Sequence, residues 1–255
     1  MSKGKYSIGM DLPCYMFDCG ANLRPASFMD IAQELAAADS ERIGCSDAVL
    51  AGNGLVWILS RMLVRFPRMP RRLDSVSAET WHRGADGPFF LRDTRLLNAS
   101  GDVAVAASAS WIIMDMETRR AVHGERLSAL VDTAANCDER ALGCDSSRIV
   151  VRNLELRRIG EHRVVYSDLD YNGHANNAKY TVWSMDCLPE SVIRDYVLGS
   201  IEINFNHEVK PGALVTLSSD VPEDGCVDGR DVVVVGECDG VQAFVCRMEF
   251  ERKTI

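Results

Sequence analysis

The chain has 255 residues, 47% of them hydrophobic, and a formal net charge of −9. This length suits one large domain or two smaller ones, and the acidic balance argues against nucleic acid or an anionic membrane as the main partner. No apolar run reaches the roughly 20 residues of a membrane span. The first residues, MSKGKYSIGMDLP, lack the apolar core of a signal peptide. We therefore expect a cytoplasmic protein with no membrane span.

The nine cysteines are scattered along the sequence. Their number is odd, no C-x-x-C spacing occurs, and none stands at zinc-ligand spacing from a histidine. This pattern predicts reduced thiols that mostly fill the core, without a disulfide framework or a structural metal.

The first half begins with a predicted strand over Tyr6–Phe17, a turn at Asp18–Asn22 and a helix over Ser27–Asp39. Pro25 suits the first position of that helix. Four alternating apolar segments separated by polar or glycine-bearing turns then predict strands. They cover Val56–Phe66, Ser75–Trp81, Phe89–Asn98 and Val103–Met114.

The same order of elements returns in the second half. A predicted strand over Arg157–Tyr166 leads to a turn at Asp170–Gly173 and a helix over Asn176–Cys187. Four more strands are predicted at Ser200–Val209, Leu214–Asp220, Asp231–Cys238 and Gln242–Arg252. Asp18 and Phe28 are spaced as Asp170 and Tyr180 are, which indicates an internal repeat.

The repeat predicts an α+β fold in which two antiparallel sheets each wrap a central helix. We expect an N-terminal domain over residues 1–125, a linker over 126–155 and a C-terminal domain over 156–255. Each half then has a sheet face and a sheet edge that the other half can help to cover.

The second turn carries the residues best suited to chemistry. Asp170, Asn172 and His174 lie within five residues around Gly173 and directly precede a helix. The first turn of a helix has unpaired N–H groups that can hold an oxygen gaining negative charge. The first copy has Gly20 and Asn22 at the positions of Asn172 and His174. Catalysis is therefore expected in the second half.

Several separated segments resemble one known family. The segment DLDYNGHANNAKYTVW, residues 168–183, resembles a signature of the acyl-acyl-carrier-protein thioesterases of bacteria and plant plastids. The other landmarks occur upstream in the family's order: Trp57 with Arg61-Met62, then Glu79-Thr80-Trp81, then Ser110-Trp111 to Asp115 followed by Thr118-Arg119-Arg120. The resemblance spans most of the chain.

This resemblance implies a tandem hotdog fold and the hydrolysis of fatty acyl thioesters on acyl carrier protein, in fatty acid biosynthesis. The expected partner is a carrier protein bearing a fatty acyl phosphopantetheine, and no cofactor is needed. Asp170 is expected to act as general base or as nucleophile, two roles that the sequence leaves open. Asn172 is expected to orient the carboxylate or the water, and His174 to hydrogen-bond and to protonate the departing thiolate.

The family also carries a Glu-Cys pair on a later strand. In this chain the pair aligns with Asn206 and His207, so the thiol is absent, which argues against a Cys–His–Asn mechanism. A shift of the alignment by one residue would bring Glu208 into the site instead.

Arginines are densest between residues 61 and 72. They form either a solvated face or a docking site for an acidic carrier protein, in which we include Arg65, Arg68, Arg71 and Arg72. A second basic group, Arg157, Arg158 and Arg163, lies next to the catalytic half.

Three other functions remain open on the sequence alone. One is a thioesterase for acyl-coenzyme A, another an enoyl hydratase with the same fold, and the third an acyl-binding regulator without catalysis. The preferred chain length and the quaternary state, including a homodimer, also remain open.

Overall fold

The computed structural model describes residues 4–122 and 136–253. The first half contains β1 (Lys5–Asp11), a 3-10 helix (Cys14–Met16), α1 (Pro25–Arg42), α2 (Asp47–Gly52), β2 (Leu55–Arg65), β3 (Ser75–Asp86), β4 (Phe89–Leu97) and β5 (Val103–Asp115). The second half contains β6 (Arg157–Arg163), a 3-10 helix (Tyr166–Asp168), α3 (Asn177–Asp186), α4 (Glu190–Asp195), β7 (Tyr196–Phe205), β8 (Leu214–Ser219), β9 (Asp231–Cys238) and β10 (Val241–Arg252).

The strands form one antiparallel sheet in the order β1-β3-β4-β5-β2-β7-β10-β9-β8-β6. The predicted sheets are thus the two five-stranded halves of one sheet, joined where β2 pairs with β7, for example Leu63 with Glu202. This pairing satisfies backbone groups that would otherwise be exposed at two sheet edges. The strand order reads the same from either end, so the halves are related by an approximate twofold axis.

Near the start of each half, the elements repeat at a constant spacing along the sequence. β1, the 3-10 helix and the first residue of α1 each recur 152 residues later, so that Lys5 corresponds to Arg157 and Pro25 to Asn177. Isolated bridges follow the same rule, with Phe17–Leu23 repeated as Leu169–Ala175. The repeat predicted from Asp18 and Asp170 is therefore confirmed by the backbone.

The two central helices differ in length. α1 has 18 residues and starts with Pro25 at its first position, where the missing N–H of proline costs nothing. α3 has 10 residues and is capped by Asn176, whose side chain accepts a hydrogen bond from the N–H of Ala178. The two helices pack against each other inside the curved sheet. The last two turns of α1 therefore have no counterpart in α3.

Aromatic rings fill the interior of the second half. The Tyr180 ring lies 4.9 Å from Trp183, 5.5 Å from Phe205 and 5.1 Å from Phe244, between ring centroids. Gly236 makes this packing possible, because a Cβ at that position would lie 1.9 Å from the Phe244 ring. Such packing gives the second half a solid core.

The segment that follows residue 135 crosses the outer face of the sheet. Trp81 Nε1 donates to the carbonyl of Glu139 at 2.7 Å, and the N–H of Ile149 donates to Asn204 Oδ1 at 2.8 Å. The segment thereby covers sheet surface on both halves. The domain boundary predicted between residues 125 and 126 lies outside the described residues.

Some predicted elements end elsewhere. β1 stops at Asp11 rather than Phe17, because Pro13 lacks the N–H that a strand needs and a 3-10 turn follows. β7 starts at Tyr196 and ends at Phe205, four residues earlier at each end than predicted. The short helices α2 and α4 were not predicted, since six residues carry little periodic signal.

Candidate active site

The turn before α3 holds the Asp170 carboxylate by backbone bonds. Asp170 Oδ1 accepts the N–H of Asn172 at 2.8 Å and that of His174 at 3.3 Å. The Asp170 N–H donates to the carbonyl of His174 at 2.9 Å. Gly173 has a φ of 78°, a conformation that glycine adopts without strain. The backbone N–H of Asn172 therefore helps to orient the carboxylate.

His174 faces a carboxylate from the other side of the site. Its Nε2 lies 3.7 Å from Glu208 Oε2, and Glu208 Oε1 lies 3.1 Å from Arg119 Nη2. Glu208 follows the end of β7 and links the imidazole of the second half to a cation of the first half. This arrangement orients the ring and complements a positive charge on it.

The start of α3 contributes backbone N–H groups. The side chain of Asn176 caps the helix and accepts the N–H of Ala178 at 2.8 Å. Gln33 of α1 bonds to both asparagines at this end: its Nε2 donates to Asn176 Oδ1 at 3.4 Å, and its Oε1 accepts from Asn177 Nδ2 at 3.3 Å. A helix of 10 residues directs a partial positive charge toward an oxygen placed at this end.

Below the turn, a buried carboxylate supports the backbone. Asp168 Oδ2 accepts the N–H of Val165 at 2.8 Å and lies 2.8 Å from His162 Nε2. Burial alone would raise the pKa of Asp168, but these two bonds outweigh it and hold that pKa below its ordinary value. The His162 ring stacks on Trp183 with a centroid distance of 4.7 Å. Asp168 is therefore an ionised structural group.

These residues open onto a cleft of about 970 Å³ that both halves line. Asp170, Asn172 and His174 stand at its mouth, while the first half, chiefly α1, α2 and β2, contributes most of its wall. The Tyr171 hydroxyl donates to Asp47 Oδ2 of α2 at 2.8 Å and so joins the two halves at the mouth. That bond is the main cause of the raised pKa of Tyr171. The volume falls within the usual range for a small-molecule site.

Asn206 and His207 also line this cleft, and both are exposed. Asn206 Nδ2 donates to Gln242 Oε1 at 3.1 Å. The residue that approaches His174 is Glu208, which matches the alignment shifted by one position. Burial raises the pKa of the Cys187 thiol to about 12, so this cysteine is protonated and a poor nucleophile at neutral pH.

The structure does not bring the four arginines of the proposed docking site to the cleft. Arg65 is exposed at the end of β2, and Arg68, Arg71 and Arg72 are exposed in the loop that follows it. The cleft is lined by β2 from Leu55 to Leu59, so Arg65 lies about 20 Å further along the strand. These arginines lie at the opposite end of β2 from the cleft.

Residues 4–122 and 136–253 contain neither a metal-binding cluster nor a membrane-spanning helix. Within these residues, no group of three or more His, Cys, Asp or Glu side chains is arranged to hold a metal ion. Within the same part of the chain, no helix is both long and apolar enough to span a bilayer.

Comparisons with known proteins agree with this architecture. The structure of an acyl-ACP thioesterase from Bacteroides thetaiotaomicron superposes with a TM-score of 0.85 at 21% identity, covering 98% of this chain and 100% of the other. The 12:0-ACP thioesterase from Umbellularia californica gives a TM-score of 0.85 at 17% identity, covering 99% of each chain. The fold is therefore a tandem hotdog, as the sequence predicted.

The family follows from models of its two domains. The acyl-ACP thioesterase N-terminal domain matches residues 3–126, and the C-terminal domain of the same family matches residues 152–246. The chain belongs to the acyl-ACP thioesterase family.

Two curated relatives show how much of a plant protein is matched. A chloroplastic palmitoyl-acyl carrier protein thioesterase of Gossypium hirsutum is 26% identical over 64% of this chain and 43% of its own length. A chloroplastic dodecanoyl-[acyl-carrier-protein] hydrolase of Cinnamomum camphora is 26% identical over 68% of this chain and 47% of its own length. The chain thus spans about half the length of these relatives.

Proposed function

We propose that this protein hydrolyses fatty acyl thioesters carried by acyl carrier protein and releases the free fatty acid, as part of fatty acid biosynthesis. The observation that carries the proposal is that the Asp170–His174 turn and the start of α3 open onto one cleft, most of whose wall belongs to the other half. A reactive polar end and a long, largely apolar wall are what an acyl thioester requires. Family membership supports the same reaction.

Asp170 is the central group of the proposed reaction. Its Oδ1 is held by two backbone N–H groups, so the carboxylate is fixed in position before the substrate arrives. It either removes a proton from the attacking water or attacks the thioester carbon itself. In both routes one water is consumed, the carbon–sulfur bond breaks, and a carboxylic acid and a thiol are formed.

His174 and α3 serve the other two needs of hydrolysis. The imidazole, held opposite Glu208, donates a proton to the departing thiolate. The N–H groups at the start of α3 stabilise the oxygen that becomes negative as the carbonyl is attacked. Asn172, exposed at the mouth, is proposed to bind the water or the substrate through its carboxamide. Asn206 and His207 line the mouth and are proposed to contact the thioester arm.

The test is turnover of acyl-acyl-carrier-protein substrates of increasing chain length, with the free acid measured by mass spectrometry. Asp170→Asn is the inactive reference. The matching acyl-coenzyme A series identifies the carrier: equal rates on both would favour an acyl-coenzyme A thioesterase. Formation of a hydroxyacyl thioester without release of the thiol would instead show a hydratase, and no turnover of any thioester would contradict the proposal.

The cytoplasmic location and the carrier docking site at Arg65, Arg68, Arg71 and Arg72 stay predictions. Relatives named above are chloroplastic proteins, and the compartment of this chain is open to direct localisation. A homodimer likewise stays a prediction, which light scattering of the purified chain would check.

A further inference from the structure

The end of the cleft that lies away from the catalytic turn is polar and buried. Arg92, which is 6% exposed, donates from Nη1 to Asp39 Oδ2 at 2.6 Å, and Asp39 is fully buried in the last turns of α1. Arg42 donates to the other oxygen of Asp39 at 2.6 Å. Both carboxylate oxygens are therefore satisfied by arginines, so Asp39 needs no further partner.

His82 lies beside this ion pair and has one unsatisfied nitrogen. It is 5% exposed, and its Nδ1 lies 2.7 Å from Asn136 Oδ1. Because a carboxamide oxygen can only accept, Nδ1 carries the hydrogen and Nε2 carries a lone pair. Nε2 is buried and has no hydrogen-bond partner among residues 4–122 and 136–253. Leaving a buried polar atom without a hydrogen bond costs about 1–3 kcal/mol. We therefore expect Nε2 to bond to a group that binds in the cleft, which His82 lines.

The histidine is neutral. Burial lowers the pKa of His82, the nearby Arg92 lowers it further, and the bond to Asn136 only partly opposes them. Asp39 faces the same ring but is already neutralised by its arginines. At neutral pH, His82 Nε2 is therefore a hydrogen-bond acceptor without a donor among the described residues.

The position of His82 in the cleft determines which part of an acyl substrate it would contact. Gln33 of α1 contacts the start of α3, whereas Ser40, which lies 3.5 Å from Arg92 Nη2, is seven residues further along the same helix. Seven residues of α-helix span about 10 Å. His82 pairs with Arg92 across β3 and β4 and so stands at this remote end. It faces the distal part of an acyl chain and not the carbon atoms beside the thioester.

A second unsatisfied polar atom lies in the same wall. Trp111 Nε1 is buried without a partner in the described part of the chain, and Trp111 also lines the cleft. Its ring lies 6.5 Å from Trp57, which lies 5.3 Å from Phe90, and Phe90 stacks on His82 at 5.9 Å. The aromatic wall thus offers one free acceptor and one free donor to whatever fills the cleft.

We propose that the cleft selects acyl chains that carry a hydroxyl group in their distal part, with the hydroxyl donating to His82 Nε2. This proposal rests on the function proposed above. A hydroxyl has the hydrogen that His82 Nε2 needs, and its oxygen can accept a hydrogen bond in turn. A ketone or an ionised carboxylate lacks the hydrogen that His82 needs. An unsubstituted chain leaves both atoms unpaired.

The experiment compares carrier-bound acyl chains of equal length, either unsubstituted or hydroxylated at successive distal carbons. For the wild-type chain, we expect kcat/KM to be about tenfold higher for the position that reaches His82, the effect of one buried hydrogen bond. His82→Phe keeps an aromatic ring against Phe90 and removes the acceptor. It is expected to abolish the preference while hydrolysis of the unsubstituted chain continues. Trp111→Phe, which leaves His82 intact, is expected to reduce the preference only in part.

Calorimetric binding of the free hydroxy acids and of the plain acid to the wild-type chain gives a measurement that needs neither turnover nor a folded variant. Tighter binding of one hydroxy acid supports the proposal. Equal kcat/KM and equal binding across the series would overturn it, with the hydrolase function intact. A preference that survives in folded His82→Phe would also overturn it. Absence of turnover on every chain would instead contradict the hydrolase function, and calorimetry would still decide the hydroxyl site.

Discussion

The two turns at the starts of α1 and α3 have the same backbone but different chemistry. Asp18 Oδ1 accepts the N–H groups of Gly20 and Asn22 at 2.8 and 2.9 Å, as Asp170 Oδ1 accepts those of Asn172 and His174. The carboxylate with its two N–H donors is therefore a folding device that both halves need. Only the side chains that surround it differ between the proposed catalytic turn and its counterpart in the first half.

The residue opposite the turn also differs. β2 and β7 each carry a bulge, at Ser60 and Gly199, and these bulges are equivalent in the two halves. Counting nine residues on from each bulge gives Met69 in the first half and Glu208 in the second. Since Glu208 faces His174, the second half has a carboxylate–imidazole contact for which the first half has neither member.

The residues that pack beneath the two turns also differ between the halves. His162 and Asp168, which are bonded at 2.8 Å, correspond by the shift of 152 residues to Met10 and Met16. Both methionines pack against the apolar core. The second half thus anchors its turn with a polar pair, whereas the first half relies on apolar packing. The first half has the longer helix and most of the cleft wall. The proposed reactive groups therefore come from the second half, and most of the space for the substrate lies against the first half.

The largest expected difference between the two turns is in rate. Asp170→Asn keeps an oxygen for the two backbone N–H groups but removes the negative charge, so the rate is expected to fall by about 10²–10⁴. Asp18→Asn is the matched control, because it makes the same change in the same backbone, and it should leave the rate nearly unchanged. Steady-state hydrolysis of a carrier-bound chain measures both. Near-normal activity of folded Asp170→Asn would contradict the assignment.

Glu208 tests whether the contact with His174 matters. Glu208→Gln is expected to lower kcat by roughly tenfold to a hundredfold with little change in KM, since it acts through the imidazole rather than on the substrate. The pH profile of kcat should change as well, which a purely structural loss would not produce. Arg119→Gln, which removes the other partner of Glu208, is the control and should have a smaller effect. Equal effects of both variants would indicate that the ion pair, not His174, requires Glu208.

The contribution of the Asp168 carboxylate and its hydrogen bonds can be measured as a free energy of unfolding. Asp168→Asn should lower the free energy of unfolding by about 1–3 kcal/mol at pH 7, because it weakens a charged hydrogen-bond group in a buried position. The pKa of Asp168 is lowered by folding, so its contribution is present above the unfolded value of about 3.9 and is lost as the pH falls through the folded value. Urea unfolding should therefore show a gap between wild type and variant at pH 7 that closes toward pH 3. Asp186→Asn, exposed on α3, should show no gap at either pH.

The smallest expected effect concerns carrier docking. Arg163 ends β6, seven residues before Asp170, whereas Arg68 and Arg71 lie in the loop after β2. Arg163→Glu is expected to raise KM for the carrier-bound substrate by about fivefold at low salt, and the double variant Arg68→Glu/Arg71→Glu by less than about twofold. A short acyl thioester without the carrier is the control substrate. The reverse order of the two effects would place docking at the arginines predicted from the sequence.

The sequence by itself determined the repeat and the fold, and it predicted the position of the reactive turn. Periodicity is a local property, so the strands and the central helices could be predicted to within a few residues. The polar residues Asp170, Asn172 and His174 are close in sequence and are held by one turn, so they were also recognisable. Their absence from the first turn, at Gly20 and Asn22, predicts that the chemistry takes place in the second half.

Only the tertiary structure decided which distant residues complete the site. Glu208 is 34 residues from His174 in sequence and meets it because β7 pairs at the centre of the sheet. The four arginines looked accessible in sequence, but the direction of β2 carries them away from the cleft. His82 and Asn136 meet across 54 residues and leave one nitrogen unpaired inside the cleft wall. Contacts of this kind depend on strand order and register, which no local pattern of residues specifies.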